Sequence, residues 1–297
     1  MSVFVLKLIA VVSMLIDHAS YVLRLSGRLP WGSLYIAART VGRAAFLIYC
    51  FLLVNGFEKT GDRKKYLARL VMFAAISQLP FTLAFTAENY RAGTETLFAF
   101  DAARALFLAL PLGVYFLTVC RRRFEPSLLW LAAAFLLAST DLTLRGVRLL
   151  ACDDLNVFYT LAAGFTIMMC LESLSAEERG LRSVLPILAV LGVELYLLQR
   201  HADYGLLGVA LIALLYLCRG DRLLQLVTAA LWCFVEYRWC IFDSPVYLPY
   251  FIGALCTLGP IALYNGRLGP KGRAFFYLIY PAHLALLGAV FVCLSRA

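Results

Sequence analysis

The chain has 297 residues, of which 63% are hydrophobic and only 15% are charged, and its formal net charge is +9. Soluble domains rarely depart so far from average amino-acid usage. Apolar segments separated by short charged loops recur along the whole chain, which is typical of a polytopic helical membrane protein. No stretch is long or polar enough for a soluble domain, so residues 1–297 are interpreted as a single membrane-embedded domain.

The apolar runs predict an all-α transmembrane helical bundle with about nine to eleven crossings. Strands are not expected, because the runs lack the period-two alternation of a transmembrane barrel. The predicted segments are 3–25, 33–57, 66–87, 104–120, 127–140, 155–172, 183–200, 204–218, 223–236, 246–264 and 274–295. Segments 127–140 and 223–236 are shorter than the roughly 20 residues of a full crossing, so each is tilted, re-entrant or extended by loop residues.

The distribution of Lys and Arg predicts the orientation of the chain. With eleven segments, the loops on the side of the N-terminus hold more basic residues than the loops on the other side. The positive-inside rule therefore places the N-terminus in the cytoplasm. The expected location is the cytoplasmic (inner) membrane. The same rule accounts for most of the net positive charge, which is consequently no indication of a nucleic-acid partner.

Charged residues occur inside the first two predicted helices. The stretch "MLIDH" places Asp17 and His18 past the middle of the first helix, where ionisable side chains are costly and indicate pairing or function. In the second helix, Arg39 and Arg43 are four residues apart and share a face, and Gly42 allows a neighbouring helix to approach closely. Asp17 is the nearest candidate partner for them. A purely structural Asp17–Arg pair is the alternative to a functional one.

The relation between Asp17 and His18 has two interpretations. Adjacent residues of a helix point about 100° apart, so the two side chains do not project toward one spot. Either Asp17 supports His18 from the side, as the third member of a catalytic triad does, or the two serve different partners. A neutral His18 facing a cavity can take a proton from a hydroxyl or an amine.

Other polar residues stand near helix ends and inside the last segment. "HADYG" places Asp203 at the start of a helix, and "FYLIYPAHL" places Tyr280 and His283 in the last segment. For His283 a packing role is as plausible as a functional one. The cysteines lie singly without a C-x-x-C pair, and the three histidines are far apart in sequence, so no metal site is expected.

In their order and spacing, several of these motifs resemble the TraX family of membrane proteins, whose named member acetylates the N-terminus of a conjugative pilin. The resemblance runs over nearly the full length and rests on "LKLIAVVSMLIDH", "GRAAFLIYCFLLVNGFEKT", "KKYLARLVMFAAISQLPF", "LNVFYTLAAG", "DYGLLGVALIALLYL", "LYNGRLG" and "FYLIYPAHL". More distantly, the chain is similar to membrane acyltransferases that modify cell-surface sugars, in which a first helix ending in a functional His precedes a Gly-containing second helix and a basic loop.

The resemblance implies transfer of an acetyl group from cytoplasmic acetyl-CoA to a hydroxyl or amine of a protein or glycan acceptor. CoA is polyanionic and needs cations and backbone N–H groups on the cytoplasmic face. The candidates for this contact are Lys64, Lys65, Arg69, Asn265 and Arg267. Each of these residues is equally explained by ordinary topology-setting charge or turn chemistry.

The implied mechanism assigns roles to residues of the first two helices. His18 is expected to act as the general base and Asp17 to orient or charge it. Arg43 is expected either to stabilise the developing oxyanion of the thioester carbonyl or to hold the pantetheine arm. The residues expected on the acceptor side are Arg39, Asp203, Tyr280 and His283.

Two other classes of function stay open. A transporter or flippase also needs buried charges and broken helices, although the two halves of the chain show no convincing internal repeat. A structural subunit without chemistry would not require Asp17, His18, Arg39 and Arg43 together. Consumption of acetyl-CoA that depends on an acceptor would distinguish an acetyltransferase from both of these alternatives.

Overall fold

A computed structural model of the chain describes residues 1–85, 96–103, 105, 126–175, 202–270 and 272–295. The chain divides into two compact units, which are described separately. Unit 1 consists of Met1–Gly56 and Leu214–Ala297, and unit 2 consists of Phe57–Ala213. The interpretation of the chain as one functional domain stays a prediction.

The elements are, in chain order, α1 (Val3–Leu25), α2 (Ser33–Gly42), α3 (Ala44–Lys59), α4 (Arg63–Phe85), β1 (Leu97–Phe100), α5 (Pro126–Ala138), β2 (Thr140–Leu144), β3 (Val147–Leu150), α6 (Val157–Ser175), α7 (Gly205–Leu217), α8 (Arg222–Glu236), α9 (Arg238–Phe242), a 3₁₀ turn (Pro245–Tyr247), α10 (Leu248–Cys256), α11 (Leu258–Ala262) and α12 (Arg273–Ser295). The predicted helical membrane fold is thereby confirmed.

Five helical stretches among the described residues are long and apolar enough to cross a membrane. They are Val3–Leu25, Ser33–Lys59, Arg63–Phe85, Pro245–Ala262 and Ala274–Leu294. Shorter apolar helices cover Leu129–Ala138, Val157–Glu172 and Gly205–Leu217. The predicted segments 104–120 and 183–200 lie almost entirely outside the described residues, so the total number of crossings stays a prediction. The protein is a multi-pass membrane protein.

Unit 1 is organised around α1 and α2. Ser2 caps α1, since its hydroxyl accepts a hydrogen bond from the backbone N–H of Val5 at 3.3 Å. The helix ends before Gly27, whose φ of +70° suits the left-handed position after a helix C-terminus. The short loop that follows returns the chain antiparallel, so that α2 packs along α1.

Close backbone approach fixes the neighbours of α2 in unit 1. On one side Gly42 faces the side chain of Asp17 in α1, which confirms the predicted close approach of a neighbouring helix. On another side α10 packs against α2, and Gly253 lies on the backbone carbonyl and methyl group of Thr40. Since a larger side chain at either glycine would overlap its neighbour, small residues set these helix separations.

Unit 2 contains α4, which packs against α5, α6 and β3. Its buried polar residues are tied together: Nδ2 of Asn156 donates to the carbonyl oxygen of Ala74 and to Oε1 of Gln78, both at 2.9 Å. Nε2 of Gln78 donates to the carbonyl oxygen of Asp154 at 2.7 Å. Both amide side chains are fully buried, so this network joins α4 to the segment that leads into α6.

The prediction that the chain has no strands is wrong in unit 2. A small antiparallel sheet has the order β1-β2-β3, with Leu97 opposite Thr143 and Phe100 opposite Thr140. The turn between β2 and β3 is formed by Arg145 and Gly146, whose φ angles of 50° and 77° are those of a two-residue hairpin turn. The high apolar content concealed this local turn signal.

Candidate functional site

Asp17 is held between two arginines of the neighbouring helix in unit 1. Its Oδ2 accepts a hydrogen bond from Nη1 of Arg39 at 2.7 Å, and its Oδ1 accepts one from Nη2 of Arg43 at 2.9 Å. The Asp17 side chain is only 10% exposed, and those of Arg39 and Arg43 are 20% and 13% exposed. The predicted pairing of Asp17 with both arginines is confirmed. The carboxylate of Asp17 balances part of the charge of the two guanidinium groups and satisfies hydrogen-bond donors of both, which lowers the cost of their burial.

Arg43 occupies the break between α2 and α3, where its guanidinium is held by several groups. Its Nε donates to the backbone carbonyl of Arg39 at 3.1 Å. The guanidinium lies 5.6 Å from the ring centre of Tyr250, and it forms a hydrogen bond with the side chain of Tyr237. These contacts fix the direction of the guanidinium, which a group that stabilises a developing charge requires.

Sequence reasoning missed the residues that surround these arginines. Tyr237 and Tyr250 contact Arg43, and Glu236 interacts with it electrostatically. Tyr21 lies beneath Arg39, with the guanidinium 5.0 Å from the ring centre. The stretch "VEYRW", which begins at the end of α8, carried a usable signal, because it places an acidic residue, Glu236, directly after the apolar run "ALWCFV".

His18 and His283 form a pair, although they are 265 positions apart in the chain. Nδ1 of His18 lies 2.7 Å from Nε2 of His283, and the two rings are stacked with centres 5.0 Å apart. Tyr280 stands at the edge of both rings, at 6.2 Å from His18 and 5.5 Å from His283. The structure therefore brings together three of the predicted site residues of the first and last helices.

The contacts favour the interpretation in which the adjacent residues Asp17 and His18 serve different partners. The carboxylate of Asp17 binds Arg39 and Arg43, whereas His18 bonds to His283. The two side chains thus have different partners, and His283, in place of Asp17, is the group bonded to the ring of His18. Arg39 and Arg43 nevertheless act on His18 electrostatically.

Asn265 and Arg267 lie in an exposed loop at the other end of α1. The backbone N–H of Val3 donates to the carbonyl oxygen of Arg267 at 2.8 Å, and that of Asn265 donates to the carbonyl oxygen of Met1 at 2.9 Å. Oδ1 of Asn265 accepts from the backbone N–H of Arg267 at 3.1 Å. With a rise of 1.5 Å per helical residue, this loop is about 22 Å from His18 along α1.

The remaining predicted residues belong to unit 2. Lys64 and Lys65 are exposed in the first turn of α4, where hydrogen bonds from Lys65 hold the pKa of Asp62 below its usual value. Arg69 lies one turn further along, with its guanidinium 5.4 Å from the ring centre of Tyr66. Asp203 precedes α7, and its backbone carbonyl accepts a hydrogen bond from Thr160 at 2.5 Å. The geometry does not test whether these four residues bind a ligand, so those roles stay predictions.

The described cysteines are free thiols. Within the described ranges, no three His, Cys, Asp or Glu side chains stand close enough to hold a metal ion. His201 lies outside those ranges. The site is therefore described by its ion cluster, Asp17–Arg39–Arg43, and its histidine pair, His18–His283.

Comparison with known proteins gives two matches. A family model described as TraX protein matches residues 2–151 and 107–291. The chain is also 28% identical over 290 residues to a protein named "Probable fimbrial assembly protein FimC, serogroup H1" from Dichelobacter nodosus, with 96% of this chain and 94% of that protein covered. No solved structure matches the chain.

Proposed function

Because the chain belongs to the TraX family, we propose that it is an integral-membrane acetyltransferase. The donor is acetyl-CoA, reached from the cytoplasm, and the acceptor is a hydroxyl or amine of a surface or membrane-associated molecule. The observation that carries the proposal is the juxtaposition of a partly buried imidazole, His18, with the oriented guanidinium groups of Arg39 and Arg43 inside membrane helices.

Each member of this cluster suits one part of acetyl transfer. The imidazole of His18 takes the proton from the attacking hydroxyl or amine, which is the usual role of a histidine base. The guanidinium of Arg43, fixed by Asp17 and Tyr237, donates to the oxygen of the thioester carbonyl as negative charge develops there. Asp17 aligns the two guanidinium groups and partly balances their charge. This role takes the place of the predicted one, in which Asp17 orients His18.

The donor is proposed to extend along α1. CoA is an elongated polyanion whose pantetheine arm separates the phosphates from the thioester. The exposed loop with Asn265 and Arg267 lies at the N-terminal end of α1, so phosphates held there leave the arm to reach toward His18. The proposal requires the N-terminus of the chain to lie in the cytoplasm, which is the orientation that the basic loops predict. For Lys64, Lys65 and Arg69 of unit 2, contact with CoA stays a prediction from the sequence.

The acceptor is proposed to be a pilus subunit or a surface glycan. The relative from Dichelobacter nodosus is named as a probable fimbrial assembly protein, and the TraX resemblance implies acetylation of a pilin N-terminus. Tyr280, at the edge of the histidine pair, is the proposed acceptor contact in unit 1. For Asp203 in unit 2, contact with the acceptor stays a prediction from the sequence. The cytoplasmic membrane is the proposed location.

The test is transfer of label from radioactive acetyl-CoA. Purified protein in lipid nanodiscs is incubated with an envelope fraction from cells that lack this protein. Wild type should transfer label to envelope material, and His18→Gln should lose about 10²–10⁴-fold of the rate, the usual contribution of a general base. Asp243→Asn, an exposed change outside the cluster, is the matched control. Equal rates for wild type and His18→Gln would refute the role of His18.

The alternative function is a transporter or flippase for a small or lipid-linked substrate. The observation in its favour is the interrupted helix at Arg43, because transporters often bind substrates where a membrane helix is broken. Reconstituted vesicles separate the two functions. Movement of substrate across the bilayer without loss of thioester supports transport, whereas thioester loss that depends on an acceptor supports acetyl transfer.

A further inference from the structure

The hydrogen bonds of His283 determine which of its ring nitrogens carries hydrogen. Its Nδ1 lies 2.8 Å from the backbone carbonyl oxygen of Ile279, one turn earlier in α12. A carbonyl oxygen only accepts, so Nδ1 of His283 must be the donor. In a neutral ring this leaves Nε2 of His283 as an acceptor.

The same reasoning carries over to His18. Nε2 of His283 lies 2.7 Å from Nδ1 of His18, and an accepting nitrogen needs a donor opposite it. Nδ1 of His18 therefore carries its hydrogen, and the lone pair of the neutral ring is on Nε2. The pair forms a directed chain from Nδ1 of His18 through His283 to the carbonyl of Ile279.

The hydrogen bond between the two rings requires one of the two facing nitrogens to carry no hydrogen, so at least one ring is neutral. Arg39 and Arg43 act on His18 electrostatically, and like charges repel a further cation close to them. His283 is only 6% exposed, so solvent offers little compensation for a positive ring. With each ring neutral, the direction of the hydrogen bonds is the one just described.

We propose that His283 is a positioning residue, which fixes the tautomer of His18 and makes Nε2 of His18 the base. This inference rests on the proposed function. It fills the place that a carboxylate holds in a Ser-His-Asp triad, where the third group selects the tautomer of the histidine. Both carboxylate oxygens of Asp17 are hydrogen-bonded to arginines, which is why an imidazole fills this place.

The proton transfers balance through this pair. Nε2 of His18 takes the proton of the acceptor hydroxyl or amine as the acceptor atom forms its bond to the acetyl carbon. The bond between that carbon and the sulfur of CoA breaks, and the electron pair leaves with sulfur. Nε2 of His18 returns the proton to the thiolate, which gives free CoA. While His18 holds the extra proton, its Nδ1–H bond to His283 strengthens and spreads the positive charge over both rings.

Nitrogen NMR of the histidines tests the tautomers without any reference to activity. The chain has three histidines, so ¹⁵N-histidine labelling gives few signals, and His201→Gln, His18→Gln and His283→Gln assign them. The expected result is a protonated Nδ1 and an unprotonated Nε2 for both His18 and His283. A protonated Nε2 on neutral His18 in the wild type overturns the proposal.

Kinetics of two variants test the positioning role. His283→Gln keeps an amide oxygen near the place of Nε2 and should retain most of kcat, whereas His283→Leu should lower kcat at least about tenfold with little change in KM. An unchanged kcat in His283→Leu overturns the positioning role. The expected tautomers in a wild type that transfers no acetyl group would refute the proposed function alone, so the two failures are distinguishable.

Discussion

The carboxylate of Asp17 lies against the backbone of Gly42 so closely that a Cβ atom at position 42 would overlap it. The glycine is thus the reason that one carboxylate can lie between Arg39 and Arg43, which stand on either side of Gly42 in the sequence. The relationship joins the packing of α1 on α2 to the orientation of the two guanidinium groups.

Replacement of Gly42 by Ala tests this contact. Because the new methyl group must displace Asp17 or separate the helices, we expect a loss of about 1–3 kcal/mol in the free energy of unfolding, as for other overpacked sites. Titration with SDS, followed by circular dichroism, measures the change. Gly259→Ala in α11 is the matched control, since no atom lies within 4 Å of its added Cβ. Equal effects of the two substitutions would argue against the contact.

Neutralisation of Asp17 should reduce the stability of the folded protein more than the loss of either arginine. Asp17→Asn leaves two largely buried guanidinium groups without their carboxylate, and breaking a buried pair in this way costs about 3–5 kcal/mol. The unfolding midpoint in SDS gives the loss. Combining Asp17→Asn with Arg43→Gln should cost less than the sum of the single changes, because the two residues interact. Strict additivity would show that the pair contributes no coupling energy.

The buried amide side chains of unit 2 allow a prediction about stability outside the candidate site. Asn156→Leu removes the Nδ2 donor to the Ala74 carbonyl and to Oε1 of Gln78, and the Oδ1 acceptor for the backbone N–H of Phe158. Loss of a partner by a buried polar group costs about 1–3 kcal/mol. The measurement is the rate of limited proteolysis, which should rise. The double variant that combines Asn156→Leu with Gln78→Leu should lose less stability than the sum of the losses in the two single variants. A protease rate equal to that of wild type in Asn156→Leu would contradict the network.

The sheet of unit 2 provides a prediction about pH. Burial by itself raises the pKa of Asp141, but hydrogen bonds from Cys152 at 2.8 Å and Arg148 at 2.6 Å outweigh it, so the pKa lies below its usual value. A lowered pKa contributes stability above the unfolded-state pKa, and that stability is lost as pH falls through the folded-state pKa. Asp141→Asn should therefore destabilise the protein at neutral pH, and by less below about pH 4.

Thermal unfolding at several pH values measures this difference. Asp153→Asn is the control, because the Asp153 side chain binds the same Arg148 but is 57% exposed. We expect little effect of that control at any pH, as for most exposed ion pairs. An Asp141→Asn effect that grows toward low pH would have the wrong sign for this account.

The sequence was sufficient to predict those contacts that depend on local spacing. Arg39 and Arg43 share a helix face because they are four residues apart, and the short loop after α1 makes Asp17 their neighbour. Gly42 signalled close approach for the same local reason. The helical membrane class followed from composition, because backbone groups in lipid must be satisfied internally.

The contacts that the sequence did not reveal depend on packing between distant segments. The pairing of His18 with His283 requires α1 and α12 to lie side by side, and no spacing rule relates residues of the first and last helices. The contact of Tyr250 with Arg43 likewise needs α10 against α2. The hairpin at Arg145 and Gly146 did carry a local signal, which the apolar composition around it obscured.

Calorimetric binding of acetyl-CoA to the protein in nanodiscs tests the proposed acetyl-CoA site beside His18. We expect wild type and His18→Ala to bind with similar Kd, because the proposed role of His18 lies in the chemical step. We expect a higher Kd for Arg43→Ala, because this variant lacks the guanidinium proposed to contact the thioester. Absence of binding to folded wild type would contradict the acetyltransferase account and favour transport.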